Sequence, residues 1–278
     1  MKSYLNLGCG TRFHPEWTNV DFVGSDTSIL SHNLLEGIPF PDETFDVVYH
    51  SHLLEHLPKS AAPAFLQECH RVLRPLGIHR VAVPDLERIA KVYLAALAQA
   101  LEGSEHWQKH YEWMTLELLD QLVREQGGGE MQAYLLNPEI PNKDFVLGRI
   151  GLEAQNLMNS ARPTGAIALR TASTLNLPRL GRGFARGLAH LRKLLLRLAM
   201  GKDHEMLELG RFRRGGEVHL WMYDRYSLSE LLRAAGFRDP QVVTATESRI
   251  SGWANYHLDT EPDGGVCKPD SIFVEATK

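Results

Sequence analysis

Leu5-Asn6-Leu7-Gly8-Cys9-Gly10 is a short apolar run that ends in two glycines one residue apart. An apolar strand leading into such a loop brings backbone N–H groups and a surface without side chains close to a ligand. Taken alone, Gly-x-Gly serves a tight turn equally well, so the flanking sequence decides. Thr18–Asp21, Phe45–Tyr49 and Ile78–Val83 read as further buried strands. Between the last two, Phe65, Leu66, Cys69, Val72 and Leu73 recur at helical spacing over Ala61–Leu73, and Arg74-Pro75 stops that helix. Strands alternating with a helix predict a parallel α/β sheet. The loop departs from a dinucleotide fingerprint. The third glycine would fall at Phe13, and Asp21 follows Gly10 by 11 residues where about 20 are expected, which disfavours an ordinary NAD site.

The pattern changes along the chain. From Leu86 to about Glu217, Ala- and Leu-rich helical stretches are broken by Gly127-Gly128-Gly129, Pro138, Pro141, Pro163 and Pro178. This predicts an α-helical insertion over 86–216 that divides an α/β domain into 1–85 and 217–278. Within the insertion, residues 162–214 hold twelve Lys and Arg against Asp203, Glu205 and Glu208. Ala185–Met200 is expected to form a basic amphipathic helix, either packing its leucines on the domain or touching a membrane surface or phosphate-bearing acceptor. After Glu217 the α/β pattern returns. Ser227–Ala235 reads as a helix N-capped by Ser227, with Gly236 just past its end, and Gln241–Ala245 and Ser271–Ala276 read as closing strands.

Composition narrows the function classes. The chain has 278 residues, 44% hydrophobic and 23% charged, the balance of a globular protein rather than a disordered or fibrous one. Its net charge of −4 gives no reason to expect nucleic acid as the main partner. No signal peptide or spanning segment is visible, and Cys9, Cys69 and Cys267 read as reduced thiols. The expected location is the cytoplasm.

Further motifs carry a resemblance. Leu5–Gly10, Trp17-Thr18-Asn19-Val20-Asp21, Ile38–Tyr49, Leu54-Glu55-His56-Leu57, Glu68–Gly77 and Val81-Ala82-Val83-Pro84-Asp85 resemble, in that order, the class I S-adenosylmethionine-dependent methyltransferases. His219–Asp224 followed by Leu231–Phe237 is similar to a bacterial branch associated with polysaccharide and glycoconjugate pathways. The resemblance covers residues 4–85 and about 217–278. It implies a Rossmann-like, mainly parallel seven-stranded sheet with helices on both faces, and S-adenosylmethionine as cofactor. It places Leu7, Gly8, Cys9, Gly10, Asp21, Asn33, Leu34, Tyr49 and His50 at the cofactor, with Asp21 on the ribose hydroxyls and Tyr49 and His50 beside the methyl group. Two departures stand out: Leu76 replaces the first glycine of the Arg-Pro-Gly-Gly turn, and the short span from Gly10 to Asp21 leaves room only for a short first crossover helix. No helix precedes the first strand in this sequence, so the insertion is the expected cover.

Methyl transfer to a hydroxyl requires loss of the acceptor proton, for which His50, His52 and His219 are the candidates. A strand continuing through His50 and His52 would put both on one face; alternatively, Glu55 and His56 cap or pack the next helix. No metal is assigned to His50, His52 and His56, for want of a clear carboxylate or thiolate partner. Trp221 and Tyr223 offer flat surfaces to a ring, whereas Trp107, Trp113 and Trp253 read as core. The expected reaction is methylation of a hydroxyl on a saccharide or related small-molecule acceptor. O- or N-methylation of an aromatic metabolite, or a non-catalytic scaffold that binds S-adenosylmethionine, are the alternatives. The oligomeric state is left open.

Overall fold

In a computed structural model, which describes residues 2–24, 26–161, 200, 201 and 203–278, seven strands form one sheet. They are β1 (Tyr4–Leu7), β2 (Thr18–Asp21), β3 (Ile29–Ser31), β4 (Phe45–Ser51), β5 (Leu73–Pro84), β6 (Arg238–Val243) and β7 (Ser271–Thr277), in the order β3-β2-β1-β4-β5-β7-β6. The pairs from β3 to β5 are parallel, and β7 runs antiparallel to both β5 and β6. The order reverses beside β1, which opens a crevice at the carboxyl ends of β1 and β4.

Alternation along the strands divides the residues between two faces. Leu5, Leu7, Val48, Val81, Val83, Ile272 and Val274 pack with α1 (Ala62–Val72) and with the later helix Arg225–Ala234 in the main core. On the opposite face, Tyr4, Val47, Tyr49 and Ile78 meet Trp17, Ile250, Trp253, Tyr256 and Leu258. That face carries an aromatic cluster from the first crossover and the segment before β7, with one 3-10 turn (Trp253–Tyr256). The span from Gly10 to Trp17 holds turns and no helix, and the expectation of a short first crossover helix is corrected accordingly. Its cover is fixed by charge. Arg80 on β5 is fully buried, 2.8 Å from both Asp259 and Glu275, with its guanidinium over the Trp253 ring.

β5 includes the turn that follows α1. Its register on β4 jumps from Leu73 to Ile78, and Leu76 bulges out, exposed, at φ 66°. The replaced glycine position therefore does adopt a left-handed conformation, and a leucine bears the strain.

Asp85 closes β5 and caps α2 (Leu86–Leu101), accepting a hydrogen bond from the Arg88 N–H. There follow α3 (Glu105–Val123), α4 (Gly129–Leu135), α5 (Lys143–Ile150), α6 (Leu152–Ala161) and α7 (Asp203–Arg213). Ile89, Ala96, Trp113, Met114, Leu135, Val146 and Met222 build a second hydrophobic core there, separate from that of the sheet. Trp113 Nε1 donates to Glu117, which also binds Arg149, so these three polar side chains satisfy one another within the core. Of the predicted basic helix Ala185–Met200, residues 185–199 lie outside the described residues.

The last helix, α8 (Arg225–Ala234), starts two residues before the expected point. Asp224, not Ser227, is its N-cap: its carboxylate accepts from the N–H groups of Tyr226 and Ser227, while Ser227 Oγ accepts from the Asp224 N–H. Ser227 is the return half of a capping box. Gly236, at φ 102°, terminates the helix.

Candidate active site

The loop after β1 is built for close approach. Gly8 and Gly10 have φ of 63° and 54°, a region costly for any side chain. A Cβ on Gly8 would lie 2.9 Å from Leu53, whereas one on Gly10 would project into open space. The N–H groups of Gly8 and Cys9 donate to the Val20 carbonyl. Asp21, at the end of β2, accepts from the Gly10 N–H at 2.8 Å and from the Val23 N–H at 3.1 Å.

Beside this loop lies a cavity of about 630 Å³, lined by Asn6, Gly8–Arg12, Tyr49, Ser51 and His52 from the sheet edge. Leu152, Glu153, Asn156 and Leu157 of α6 close it on one side, and Leu258, Cys267 and Lys268 on another. Arg12 is held there by Glu261 and by the His257 carbonyl. Burial and the nearby Asp259 push the Tyr49 hydroxyl well above its usual range, so it stays protonated and donates to Asp259 at 2.6 Å. Burial likewise raises the Cys9 thiol to about 11, which leaves it neutral.

A second cavity, of about 760 Å³, adjoins the first. His52, Glu153, Leu157 and Lys268 line both. Its remaining wall comes from His56, Pro84, Gln121, Arg124, Met131, Gln132, Glu217, His219 and Asp270, among others. The His52 ring links several groups: its Nε2 is 2.8 Å from Ser271 Oγ, and its Nδ1 is 3.1 Å from Glu55 Oε1. Glu55 is fully buried; burial works against its charge, yet the surrounding His52, His56 and His219 hold it below the usual carboxylate range. Burial lowers His219 to about 3 and raises Asp270 to about 6. His219 is fixed by its N–H on the Gln121 carbonyl, and the next N–H, of Leu220, reaches the Glu55 carbonyl.

Not every expected residue reaches these cavities. His50 is fully buried on the α1 face, against Phe65 and His79, and neither ring nitrogen has a hydrogen-bond partner. It borders neither cavity and is corrected to a core residue. The strand ends at Ser51 and His52 takes φ 51°, so His50 and His52 do not share a face. Leu7 and Leu34 point into the main core. Asn33 caps the 3-10 turn Leu34–Glu36, with its oxygen on the Leu35 N–H and its amide on Glu36. Tyr223 is buried in the main core, and Trp221 is exposed under Lys59. The flat surfaces expected from these two residues therefore line neither cavity. Gly8, Cys9, Gly10, Tyr49 and His52 line the first cavity, His52 and His219 the second, and Asp21 reaches the site through its bond to Gly10.

Sequence reading missed Asn6, Arg12, Glu153, Lys268 and Asp270. One signal was available for the last two. A strand antiparallel to its neighbours begins where they end, so the residues before Ser271 belong at the carboxyl edge of β4 and β5.

A family model described as a methyltransferase domain matches residues 5–81. A probable methyltransferase of Aspergillus luteorubrus is 47% identical over 47 residues, 16% of this chain and 16% of its own. A probable S-adenosylmethionine-dependent methyltransferase of Mycolicibacterium smegmatis is 41% identical over 56 residues, 20% of this chain and 21% of its own. The matched stretches thus span about a fifth or less of these relatives. Among solved structures, a methyltransferase from Thermotoga maritima (possible histamine N-methyltransferase) is 13% identical with a TM-score of 0.37, over 100% of this chain and 83% of that one. One from Archaeoglobus fulgidus is 11% identical with a TM-score of 0.38, over 100% and 86%. The fold assignment rests on strand order and on the matched segment. Residues 5–81 thus match a methyltransferase domain, and the seven-stranded sheet is that of the class I, S-adenosylmethionine-dependent methyltransferase fold.

The residues present suit that cofactor. The space above Gly10 admits a ligand against bare backbone, and the Asp21 carboxylate, already in place on the Gly10 N–H, suits neighbouring hydroxyl donors. The cavity volume is in the range of small-molecule sites.

Proposed function

We propose that this protein transfers the methyl group of S-adenosylmethionine to a hydroxyl of a saccharide or glycoconjugate acceptor. The observation that carries this reading is the shared wall of His52, Glu153, Leu157 and Lys268, where the glycine-loop cavity opens beside a second, polar one. The second cavity has the character of a hydroxyl-binding site. Gln121, Arg124, Gln132, Glu153, Glu217, Lys268 and Asp270 face it, and no Phe, Tyr or Trp lines it among the described residues. That favours a polyhydroxylated acceptor over a flat aromatic metabolite, which would use stacking surfaces. An open polar chamber also supports an enzyme over a scaffold.

The cofactor supplies an activated methyl group and its own leaving group. The chain's task is then to bind, align and take up a proton. Gly8, Gly10 and Asp21 hold the cofactor in the first cavity. Lys268 and Glu153, paired at 3.4 Å, border the junction and orient the acceptor. Asp270, ionised above a pH of about 6, accepts the acceptor proton, with His52 as the neighbouring base. The described insertion helices α3 to α6 form the acceptor wall. Action in the cytoplasm belongs to the same reading, supported by three free, buried cysteines. No described helix is long and apolar enough to cross a membrane.

Calorimetric titration with S-adenosylmethionine and S-adenosylhomocysteine, with NAD as control, tests the cofactor; binding of the first two alone is expected. Methyl transfer to a panel of saccharides and aromatic alcohols then tests the acceptor. Turnover confined to the aromatic compounds would refute the saccharide assignment.

A further inference from the structure

Glu55 presents a carboxylate wholly removed from water, with His52 Nδ1 3.1 Å from Oε1 and no hydrogen bond on Oε2. A buried carboxylate left this way is costly unless a cation meets it. The groups nearest to it are imidazoles. One ligand atom each from Glu55, His56 and His219 lies within 4.8 Å of the others, and the rings of His56 and His219 meet edge to face with centroids 4.8 Å apart.

We propose that Glu55, His56 and His219 bind a divalent transition-metal cation, zinc in class, at the wall of the second cavity. Two imidazoles and one carboxylate form the donor set of zinc sites that keep a coordination position open. The orientation of His56 supports this. Its Nδ1 is 3.2 Å from the Val218 carbonyl, and donation there leaves the Nε2 lone pair free, the usual outer-shell arrangement of a metal-bound histidine. His52, with Nδ1 3.1 Å from Glu55 Oε1, steadies the carboxylate from the other side. His56 and His219 line the cavity while Glu55 lies behind them. An ion held by the three therefore presents its open position to the cavity, where a hydroxyl oxygen is the fitting ligand. That last role rests on the methyl-transfer reading; metal binding itself does not.

A second cluster, His50, Cys69 and His79, also brings three ligand types together, but it lies in the main core against Phe65 and Phe237 and borders neither cavity. It offers no open position and serves as the internal control.

The full chain, stripped with a chelator, is dialysed to equilibrium against Zn²⁺, and its Co²⁺ form is examined by visible absorption. One bound equivalent is expected, with Co²⁺ bands of nitrogen and oxygen ligation and no thiolate charge-transfer band. His219→Ala and His56→Ala should each weaken binding roughly tenfold or more, whereas Cys69→Ser should leave it unchanged. Absence of binding, a thiolate band, or affinity unaffected in folded His219→Ala would each overturn the site. The Co²⁺ spectrum of the unaltered protein decides the matter even where a variant does not fold. Calorimetry with S-adenosylmethionine, run in parallel, reports on the methyl-transfer reading separately.

Discussion

Lys268 Nζ lies 3.4 Å from Glu153 Oε2, and this pair joins the segment before β7 to α6 where the two cavities meet. The side chains are 37% and 59% exposed, so the bridge contributes only about 0–1 kcal/mol. In the proposed reading its place is functional rather than structural. Glu153→Gln should leave the thermal midpoint nearly unchanged and raise the acceptor KM several-fold, as read by unfolding and steady-state kinetics side by side. A lower midpoint with unaltered KM would reverse that assignment.

Asp21 accepts a hydrogen bond from the Gly10 N–H, and in the proposed reading its carboxylate meets the ribose hydroxyls. Asp21→Ala should weaken S-adenosylmethionine binding roughly tenfold to a hundredfold, the range for hydrogen bonds to a charged group. Calorimetry checks it, and an unchanged Kd would remove Asp21 from the cofactor site.

Asp270 is poised to titrate near pH 6 because burial raises it. As a proton acceptor it works only when ionised, so turnover should rise as pH increases through about 6. Asp270→Asn should abolish that limb while leaving cofactor affinity intact. A pH–rate profile unaltered in the variant would assign the proton to His52 or to water.

His50 couples acidity to folding. Burial pushes it from 6.5 down to about 4, so the unfolded chain takes up a proton that the folded protein refuses. Stability is complete above pH 6.5, declines as pH falls from there to about 4, and loses nothing further from this group below that. The loss amounts to about 3 kcal/mol, and His79, lowered for the same reason, adds to it with the same sign. His50→Phe should flatten the dependence, as measured by urea unfolding on both sides of the window. An equally steep decline in the variant would place the acid sensitivity elsewhere.

Arg80 stands between Asp259 and Glu275 with no solvent exposure. Arg80→Met would leave two buried carboxylates facing each other without a cation, and about 3–5 kcal/mol of stability should be lost. Denaturant unfolding measures this; a loss below about 1 kcal/mol would mean that the surrounding donors, Ser248, Tyr49 and the Arg249 N–H, suffice.

Much of the sheet was legible because its strands are short continuous apolar runs buried on both faces, and the glycine loop because glycine takes its positive-φ backbone without a steric penalty. β3 was missed: Ile29–Ser31 is three residues long and only Ile29 is buried, too little for a pattern. The end of β4 was misjudged because polar residues continue the strand through His50, whose burial depends on α1 packing over it. Asp224 was overlooked as a cap because Ser227, three residues later, has the same side-chain chemistry. The second cavity was least legible. Its walls come from α3, α4 and α6, from the stretch before β7 and from His219, and no local pattern announces residues that only the tertiary fold brings together.

The separation of the two hydrophobic cores has a consequence for how such a molecule can diversify. The residues proposed to hold the cofactor sit at the ends of β1, β2 and β4, packed by the clusters on the two faces of the sheet, whereas Met131, Leu135 and Ile150, which line the second cavity, belong to the core of the insertion helices. Substitutions that reshape the chamber are absorbed by packing that the sheet does not share. In the proposed reading, acceptor preference can therefore drift, or be engineered, without disturbing the part that holds the cofactor.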